Sequence, residues 1–184
     1  MRFSVCLFLR FSRLPITDYR LPYYLRSMKL HLWSVGKPHD PALKASIEDF
    51  SSRIARYYPV QWQIISPPKL ASNLAPALLK KKEAEPILEM LAKDDFLALL
   101  DERGKIISSP QLAELIEKRA NESTRNLIFL IGGAFGVDDS IINRANFSWS
   151  LSKLTFPHQL VRLILTEQLY RACTILRNEK YHHE

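Results

Sequence analysis

The stretch "NLIFLIGGAFG", residues 126–136, joins an apolar run to a cluster of glycines. The run "NLIFLI" has the length and composition of a strand buried on both faces of a parallel sheet. The chain has only five glycines, and three of them (Gly132, Gly133 and Gly136) follow this run at once. Ligands of open α/β sheets bind beyond the carboxyl ends of strands, where glycine lets the backbone approach closely. Spacing alone leaves two interpretations open, a ligand site and a simple tight turn.

Other parts of the sequence argue against the common nucleotide-binding, cysteine-nucleophile and metal sites. The spacing is GGxxG, which is not the dinucleotide pattern GxGxxG, and the chain has no GxxxxGK[ST] phosphate loop. Cys173 falls on the apolar face of the last predicted helix, which indicates a core residue and not a nucleophile. His182 and His183 have no further ligands nearby in the sequence, so we predict a solvated tail and no metal site.

The pattern along the chain alternates between strand and helix five times. Strands are predicted at 29–35, 60–65, 96–100, 126–131 and 148–152, and helices begin at Pro41, near Leu78, at Ser109, at Asp138-Asp139 and at His158. The second helix contains Pro86, which predicts a kink or a split. Asp101-Glu102 is predicted to form a turn that ends the third strand. This alternation predicts an α/β domain with a parallel sheet and helices on both faces.

Composition is that of a globular protein with a modest basic excess. The 184 residues are 47% hydrophobic and 24% charged, which fits one domain. Of the net charge of +7, residues 1–27 contribute +4, from five arginines against one aspartate. The remaining charge is compatible with RNA binding and does not demand it. Two distant cysteines make no disulfide framework and favour a reducing compartment, the cytoplasm, and no apolar stretch approaches a membrane span.

Residues 1–27 differ from the rest of the chain. They are rich in arginine and aromatic residues and have neither helical nor alternating periodicity. Met28 then begins "MKLHLWSVG", a clear strand pattern. We therefore expect residues 1–27 to be an extension outside the fold and residues 28–184 to form the domain, with an organellar transit peptide as the alternative for the extension.

A second informative stretch is "SLSKLTFPHQLVRLILTEQLYRA", residues 150–172. It joins a short strand to the last helix through a loop beside the glycine cluster. On that helix His158, Arg162, Thr166 and Tyr170 recur every four residues and share one stripe. Such a stripe is usually solvated, but this combination at a loop also suits phosphate and base contacts.

These motifs together resemble one family. "LIGGAFG", "WSLSKLTFPHQLVRLILTEQLYRA", "KYHH", "MKLHLWSVGK" and "LLDERGK" are similar to segments of the ribosomal large-subunit methyltransferase H family of the SPOUT superfamily. The resemblance extends from Met28 to Glu184 and leaves residues 1–27 unmatched. It implies a parallel α/β sheet with a C-terminal trefoil knot, which the periodicity does not indicate.

The resemblance also implies an activity. Family members use S-adenosyl-L-methionine to methylate N3 of a pseudouridine in 23S ribosomal RNA, and they act as homodimers. The expected partner is therefore large-subunit ribosomal RNA, within the ribosome. Two alternatives stay open at this point: a non-catalytic ribosome- or RNA-binding module on the same fold, and a tRNA methyltransferase of the same superfamily.

Site residues follow from the same resemblance. The implied cofactor-binding residues are Leu100, Gly132, Leu151, Ser152, Lys153, Leu154, Thr155 and Phe156. The glycines would leave room for a cofactor held by main chain. His158 is the candidate general base, and Arg162 is the candidate for stabilising an anionic base or gripping phosphate. Tyr181 and His182 are implied substrate contacts.

Overall fold

The computed structural model describes residues 28–69 and 71–181. Within them the chain forms five strands and five α-helices. In chain order these are β1 (Lys29–Val35), α1 (Pro41–Ile54), β2 (Val60–Ile65), α2 (Pro76–Met90), β3 (Phe96–Ile106), α3 (Ser109–Asn121), β4 (Asn126–Ile131), α4 (Asp139–Arg144), β5 (Phe147–Ser150) and α5 (His158–Leu176). The predicted extension, residues 1–27, lies outside the described residues.

The five strands form one parallel sheet in the order β2-β1-β4-β3-β5. β4 is the central strand, where Ser34 of β1 and Leu100 of β3 both pair with Ile131. The carboxyl ends of β1 and β4 therefore meet at one edge, beside Leu100 of β3. The glycine cluster that follows β4 lies at this edge, and the predicted parallel α/β fold is confirmed.

Side chains of the strands alternate between two hydrophobic cores. One face packs against α1, α3 and α5, with core residues such as Ile54, Ile116 and Leu169. The other face packs against α2 and α4 through Ile87 and Ile141. Helices thus cover both faces of the sheet, as predicted. None of the helices in the described ranges is long and apolar enough to cross a membrane.

Local sequence sets where the helices begin. Asp40 caps α1 by accepting a hydrogen bond from the backbone N of Ala42, and Asp138 caps α4 through Ser140 N. Ser108 and Gln111 form a reciprocal capping box on α3. These caps occur at the predicted helix starts, because polar side chains there satisfy amides that have no partner within the helix.

Two local predictions need correction. Of the kink or split predicted at Pro86, the split does not occur, because α2 continues to Met90. Leu79, Ala84 and Ile87 are buried on one face of α2, on both sides of the proline in the chain, and this packing outweighs the hydrogen bond that proline removes. β3 does not end at Leu100 either. It continues to Ile106, with an irregular register against β5 between Leu100 and Lys105.

The longer β3 depends on a close backbone contact. A Cβ added at Gly104 would lie 2.7 Å from both the carbonyl carbon of Ser148 and the backbone N of Trp149. Only glycine lets β3 approach β5 this closely after the irregularity. The acidic pair Asp101-Glu102 therefore lies inside a strand and not in a turn.

We predict that Gly104→Ala lowers the free energy of unfolding by about 1–3 kcal/mol, because the new methyl group forces two strand backbones apart. Urea denaturation followed by circular dichroism measures this change. Glu102→Ala, an exposed neighbour, serves as the control and stays within about 0.5 kcal/mol of the native chain. Equal stability of Gly104→Ala and the native chain would contradict the close-contact interpretation.

Candidate functional site

A cavity of about 540 Å³ opens at the carboxyl edge of β3 and β4. Its walls are the glycine turn (132–136), the 101–103 part of β3, and the loop that joins β5 to α5. Of the predicted site residues, those that line it are Leu100, Gly132, Leu151, Ser152, Leu154, Thr155, Phe156 and His158. Lys153 and Arg162 do not line it. One edge of the sheet thus brings together residues from distant parts of the chain.

The loop after β5 is held by its own short hydrogen bonds. The Ser150 hydroxyl donates to the backbone carbonyl of Ser152 at 2.8 Å, and Leu154 N donates to Ser152 Oγ at 3.0 Å. Both the carbonyl and the hydroxyl of Ser152 therefore bond within the loop. Thr155 is exposed and lines the cavity, so this loop presents both backbone and side chain to it.

The turn needs glycine for a reason other than the predicted one. A Cβ at Gly132 would lie 2.6 Å from Cγ1 of Val137, inside the turn itself. A Cβ at Gly133 would overlap Oε2 of Glu83 and lie 2.9 Å from its Cδ. Gly136 has a φ of +80°, which favours glycine. The prediction that Gly132 and Gly133 leave room for a ligand is therefore wrong in its reason, because protein atoms occupy that room.

His158 joins the last helix to the glycine turn. It is the first residue of α5, and its Nε2 lies 2.6 Å from the carbonyl oxygen of Gly132. A carbonyl can only accept, so Nε2 carries the hydrogen and Nδ1 is left with a free lone pair. Burial, followed by the nearby charge of Arg162, lowers the pKa of His158 despite the hydrogen bond to Gly132. The ring is therefore neutral near pH 7 and able to accept a proton.

Arg162 lies one helical turn further along, fully buried. Its Nε donates to Ser34 Oγ at 2.9 Å, and its Nη1 donates to Gln159 Oε1 at 3.2 Å and to His39 Nδ1 at 3.3 Å. Its Nη2 has no hydrogen-bond partner and lies 3.6 Å from the point where a Cβ of Gly36 would stand. No carboxylate among the described residues pairs with this guanidinium, and burial lowers its pKa.

The predicted gripping of phosphate by Arg162 therefore does not fit this arrangement, whereas its predicted stabilisation of an anionic base stays a prediction. A guanidinium with no exposed surface cannot grip phosphate. Thr166, the next residue of the stripe, is also fully buried and donates its hydroxyl to backbone carbonyls of α5. Arg162 and Thr166 of the polar stripe face the protein interior, because α5 packs into the core.

Tyr181 is not among the described residues that line the cavity. Tyr181 packs edge-on against Tyr170, with ring centroids 4.7 Å apart, and its hydroxyl donates to Glu167 Oε1 at 3.2 Å. Tyr170 lies twelve residues after His158 on α5, which corresponds to about 18 Å along the helix. His182 lies outside the described residues. Cys173 is buried, as predicted, and burial raises the pKa of its thiol.

Sequence reasoning missed two residues of this region. Glu83 is 7% exposed and packs against the glycine turn, and His39 accepts a hydrogen bond from Arg162 and stacks edge-on against Trp62. The burial of Glu83 could have been predicted from helical spacing. It lies four residues from both Leu79 and Ile87 and therefore on the apolar face of α2. For His39 the sequence offers no pattern.

Comparisons with known proteins indicate the family to which this chain belongs. A family model described as "Predicted SPOUT methyltransferase" matches residues 28–182. The ribosomal RNA large subunit methyltransferase H of Cytophaga hutchinsonii is 46% identical over 156 residues, which is 85% of this chain and 100% of that protein. The protein of the same name from Christiangramia forsetii is also 46% identical over 156 residues, 85% of this chain and 99% of that one.

Among solved structures, a putative methylase family protein from Neisseria gonorrhoeae aligns over 83% of this chain and 85% of its own, with a TM-score of 0.46 and 14% identity. At this similarity it carries no argument. The family model spans all the described residues, and each of the two relatives aligns with 85% of this chain at 46% identity. The chain belongs to the SPOUT methyltransferase family, in the group of ribosomal RNA large subunit methyltransferases H.

Proposed function

We propose that this protein transfers a methyl group from S-adenosyl-L-methionine to N3 of a pseudouridine in large-subunit ribosomal RNA. The relatives named above are ribosomal RNA large subunit methyltransferases, which supports this substrate class. The observation that carries the proposal is the cavity at the sheet edge, where a neutral histidine is bonded to the glycine turn. A non-catalytic RNA-binding module would need no such cavity.

The residues around the cavity fit the cofactor. Its volume of about 540 Å³ is within the usual range for small-molecule sites, roughly 300–1,000 Å³. Apolar side chains of Leu100, Trp149 and Val161 line one part, as an adenine ring requires. The glycine turn and the loop 151–156 add polar backbone groups. When bound, S-adenosyl-L-methionine supplies a methyl group on a sulfonium, which becomes a neutral thioether when the sulfur–carbon bond breaks with its electron pair.

The chain's own contribution begins with positioning. The loop after β5 and the glycine turn face each other across the cavity, and His158 ties them together through Gly132. Holding donor and acceptor in line supplies much of the rate in such a displacement.

Proton removal is the second requirement, since N3 of pseudouridine carries a hydrogen at neutral pH. His158 lines the cavity and is neutral, with Nε2 bonded to Gly132 and Nδ1 free to accept a proton. The N3 electron pair then forms the new bond to the methyl carbon. His158 is the described cavity residue best suited to be the general base.

Arg162 is a positioning residue in this scheme. Burial is the main cause of the lowered pKa of both His39 and His158, and the positive charge of Arg162 lowers both further by disfavouring the charged ring. Through Gln159 and His39 it also holds the segment after β1 against α5. Gln159 continues this link by donating to the backbone carbonyl of Pro38 at 3.1 Å.

We further propose a homodimer with shared sites. The α5 helix carries apolar side chains around much of its circumference, with Leu165 and Leu169 fully buried and Leu163 and Leu176 only partly covered. Tyr181 lies far along α5 from its own His158. A second subunit on this face would therefore place each tail, Tyr181–Glu184, near the cavity of its neighbour.

Three further proposals concern the chain as a whole. The C-terminal part, from β4 to α5, forms the trefoil knot of the family, which is supported by the return of the loop after β5 to the glycine turn of β4. Residues 28–184 form the methyltransferase domain, with residues 1–27 outside it. The protein acts in the cytoplasm, where its ribosomal substrate is found.

We predict that Thr155→Trp weakens S-adenosyl-L-methionine binding at least ten-fold without lowering the melting temperature. Thr155 is exposed and lines the cavity, so added bulk there occupies ligand space without disturbing the core. Isothermal calorimetry measures the affinity, and Glu117→Trp, on an exposed face of α3, is the control for added bulk. If the native chain binds no S-adenosyl-L-methionine, the non-catalytic alternative is favoured.

We predict that Arg162→Met moves the acidic limb of the kcat/KM–pH profile to higher pH. Removing the positive charge raises the pKa of His158, so the base becomes protonated and inactive at a higher pH than before. Arg162→Lys keeps the charge and is expected to keep the limb closer to its original position. A lower rate with an unmoved pH profile in Arg162→Met would show that Arg162 does not act through His158.

We predict that deleting Tyr181–Glu184 leaves cofactor affinity unchanged and abolishes methylation. Mixing this truncated chain with Thr155→Trp subunits restores activity, because the mixed dimer has one open cavity facing one intact tail. Native mass spectrometry verifies that the mixed dimer forms, and methylation of ribosomal RNA is then measured. An inactive mixed dimer would refute the shared site.

A further inference from the structure

The side chain of Glu83 lies directly behind the glycine turn. It extends from α2 and is 7% exposed, and its carboxyl group occupies the place where a Cβ of Gly133 would stand. Gly133 itself lines the large cavity. The carboxyl group is therefore in contact with Gly133, a residue of the cavity wall.

This carboxyl group has no partner in the described parts of the chain. It takes part in no hydrogen bond or ion pair there, and burial raises its pKa. Two charged residues, Lys80 and Asp138, line the small space around it. Lys80 is one turn earlier on α2 and also lines the large cavity, yet it forms no salt bridge with Glu83. An acid that is largely buried, has no counter-charge and lies beside a ligand cavity points to a role with the ligand.

Packing alone does not require an acid at this position. The neighbours of Glu83 on the buried face of α2 are Leu79, Ala84 and Ile87, all apolar. A methionine or glutamine of similar length would fill the same space without burying a charge. The feature to be explained is therefore the negative charge, and not the volume of the side chain.

We propose that Glu83 makes the cavity selective for a positively charged ligand, and so for the methyl donor over its spent product. This inference rests on the proposed function. S-adenosyl-L-methionine carries a positive sulfonium, whereas S-adenosyl-L-homocysteine is neutral at the same sulfur and otherwise has the same groups. A carboxylate held behind a thin glycine wall attracts the sulfonium through protein, where charges interact more strongly than in water. After transfer this attraction is gone, which favours release of the product.

The test compares both ligands on the full chain and two variants by isothermal calorimetry. Glu83→Gln keeps the shape of the side chain and removes its charge. We expect this variant to bind S-adenosyl-L-methionine roughly five- to twenty-fold more weakly, which is the effect of one unit charge acting across several ångströms of protein. S-adenosyl-L-homocysteine is expected to change less than about two-fold. The matched control is Glu85→Gln, which removes an exposed carboxylate two residues away on α2 and is expected to change neither affinity.

The outcomes separate this inference from the proposed function. An equal loss for both ligands, or no loss for either, would overturn the selective role of the Glu83 charge while leaving the cofactor assignment intact. Failure of the native chain to bind either ligand would overturn the proposed function and this inference with it. Glu83→Met, which also lacks the charge, is carried through the same comparison in case Glu83→Gln does not fold, as judged by its melting curve.

Discussion

The buried guanidinium of Arg162 is the interaction on which the geometry of the site depends. Its acceptors come from β1, from the segment after β1 and from α5 itself: Ser34, His39 and Gln159. A planar guanidinium donates in fixed directions, so these three segments cannot move independently once the bonds form. With α5 fixed in this way, His158 at its first position reaches the carbonyl of Gly132. This bond fixes the start of α5 against the glycine turn that lines the cavity.

Unpaired charges lie behind the cavity walls on two sides. Arg162 has no carboxylate partner among the described residues, and Glu83 has no cationic one. Glu83 is buried next to Gly133, which lines the cavity, and Arg162 is buried next to Gly36, one helical turn from His158. Charges fixed in place before the ligand arrives require no reorganisation during the reaction, which is the usual source of electrostatic catalysis. We infer that the folding free energy lost by burying them is compensated by their effect on the ligand and on His158.

The glycine turn illustrates how far a motif can be interpreted from sequence. Three glycines after a buried strand correctly predicted where the cavity lies. They did not reveal why glycine is needed, because the nearest atoms belong to Val137 and to Glu83, the second of which lies fifty residues away in the chain. Likewise, periodicity and capping predicted nearly every element, whereas the continuity of α2 through Pro86 and the length of β3 depended on packing partners. Both errors occur where a tertiary contact outweighs a local preference.

By itself the sequence determined the succession of strands and helices, the helix starts, the buried strands and the family resemblance, because these depend on residues close together in the chain. It placed His158 and Arg162 on one face of a helix without indicating that the face points inward. Only the tertiary structure decided that Arg162 is buried, that His158 bonds to Gly132, and that Glu83 lies behind Gly133. The physical reason is that burial and hydrogen bonding between distant segments depend on how the sheet order brings strand ends together, and no spacing within the chain encodes those distances.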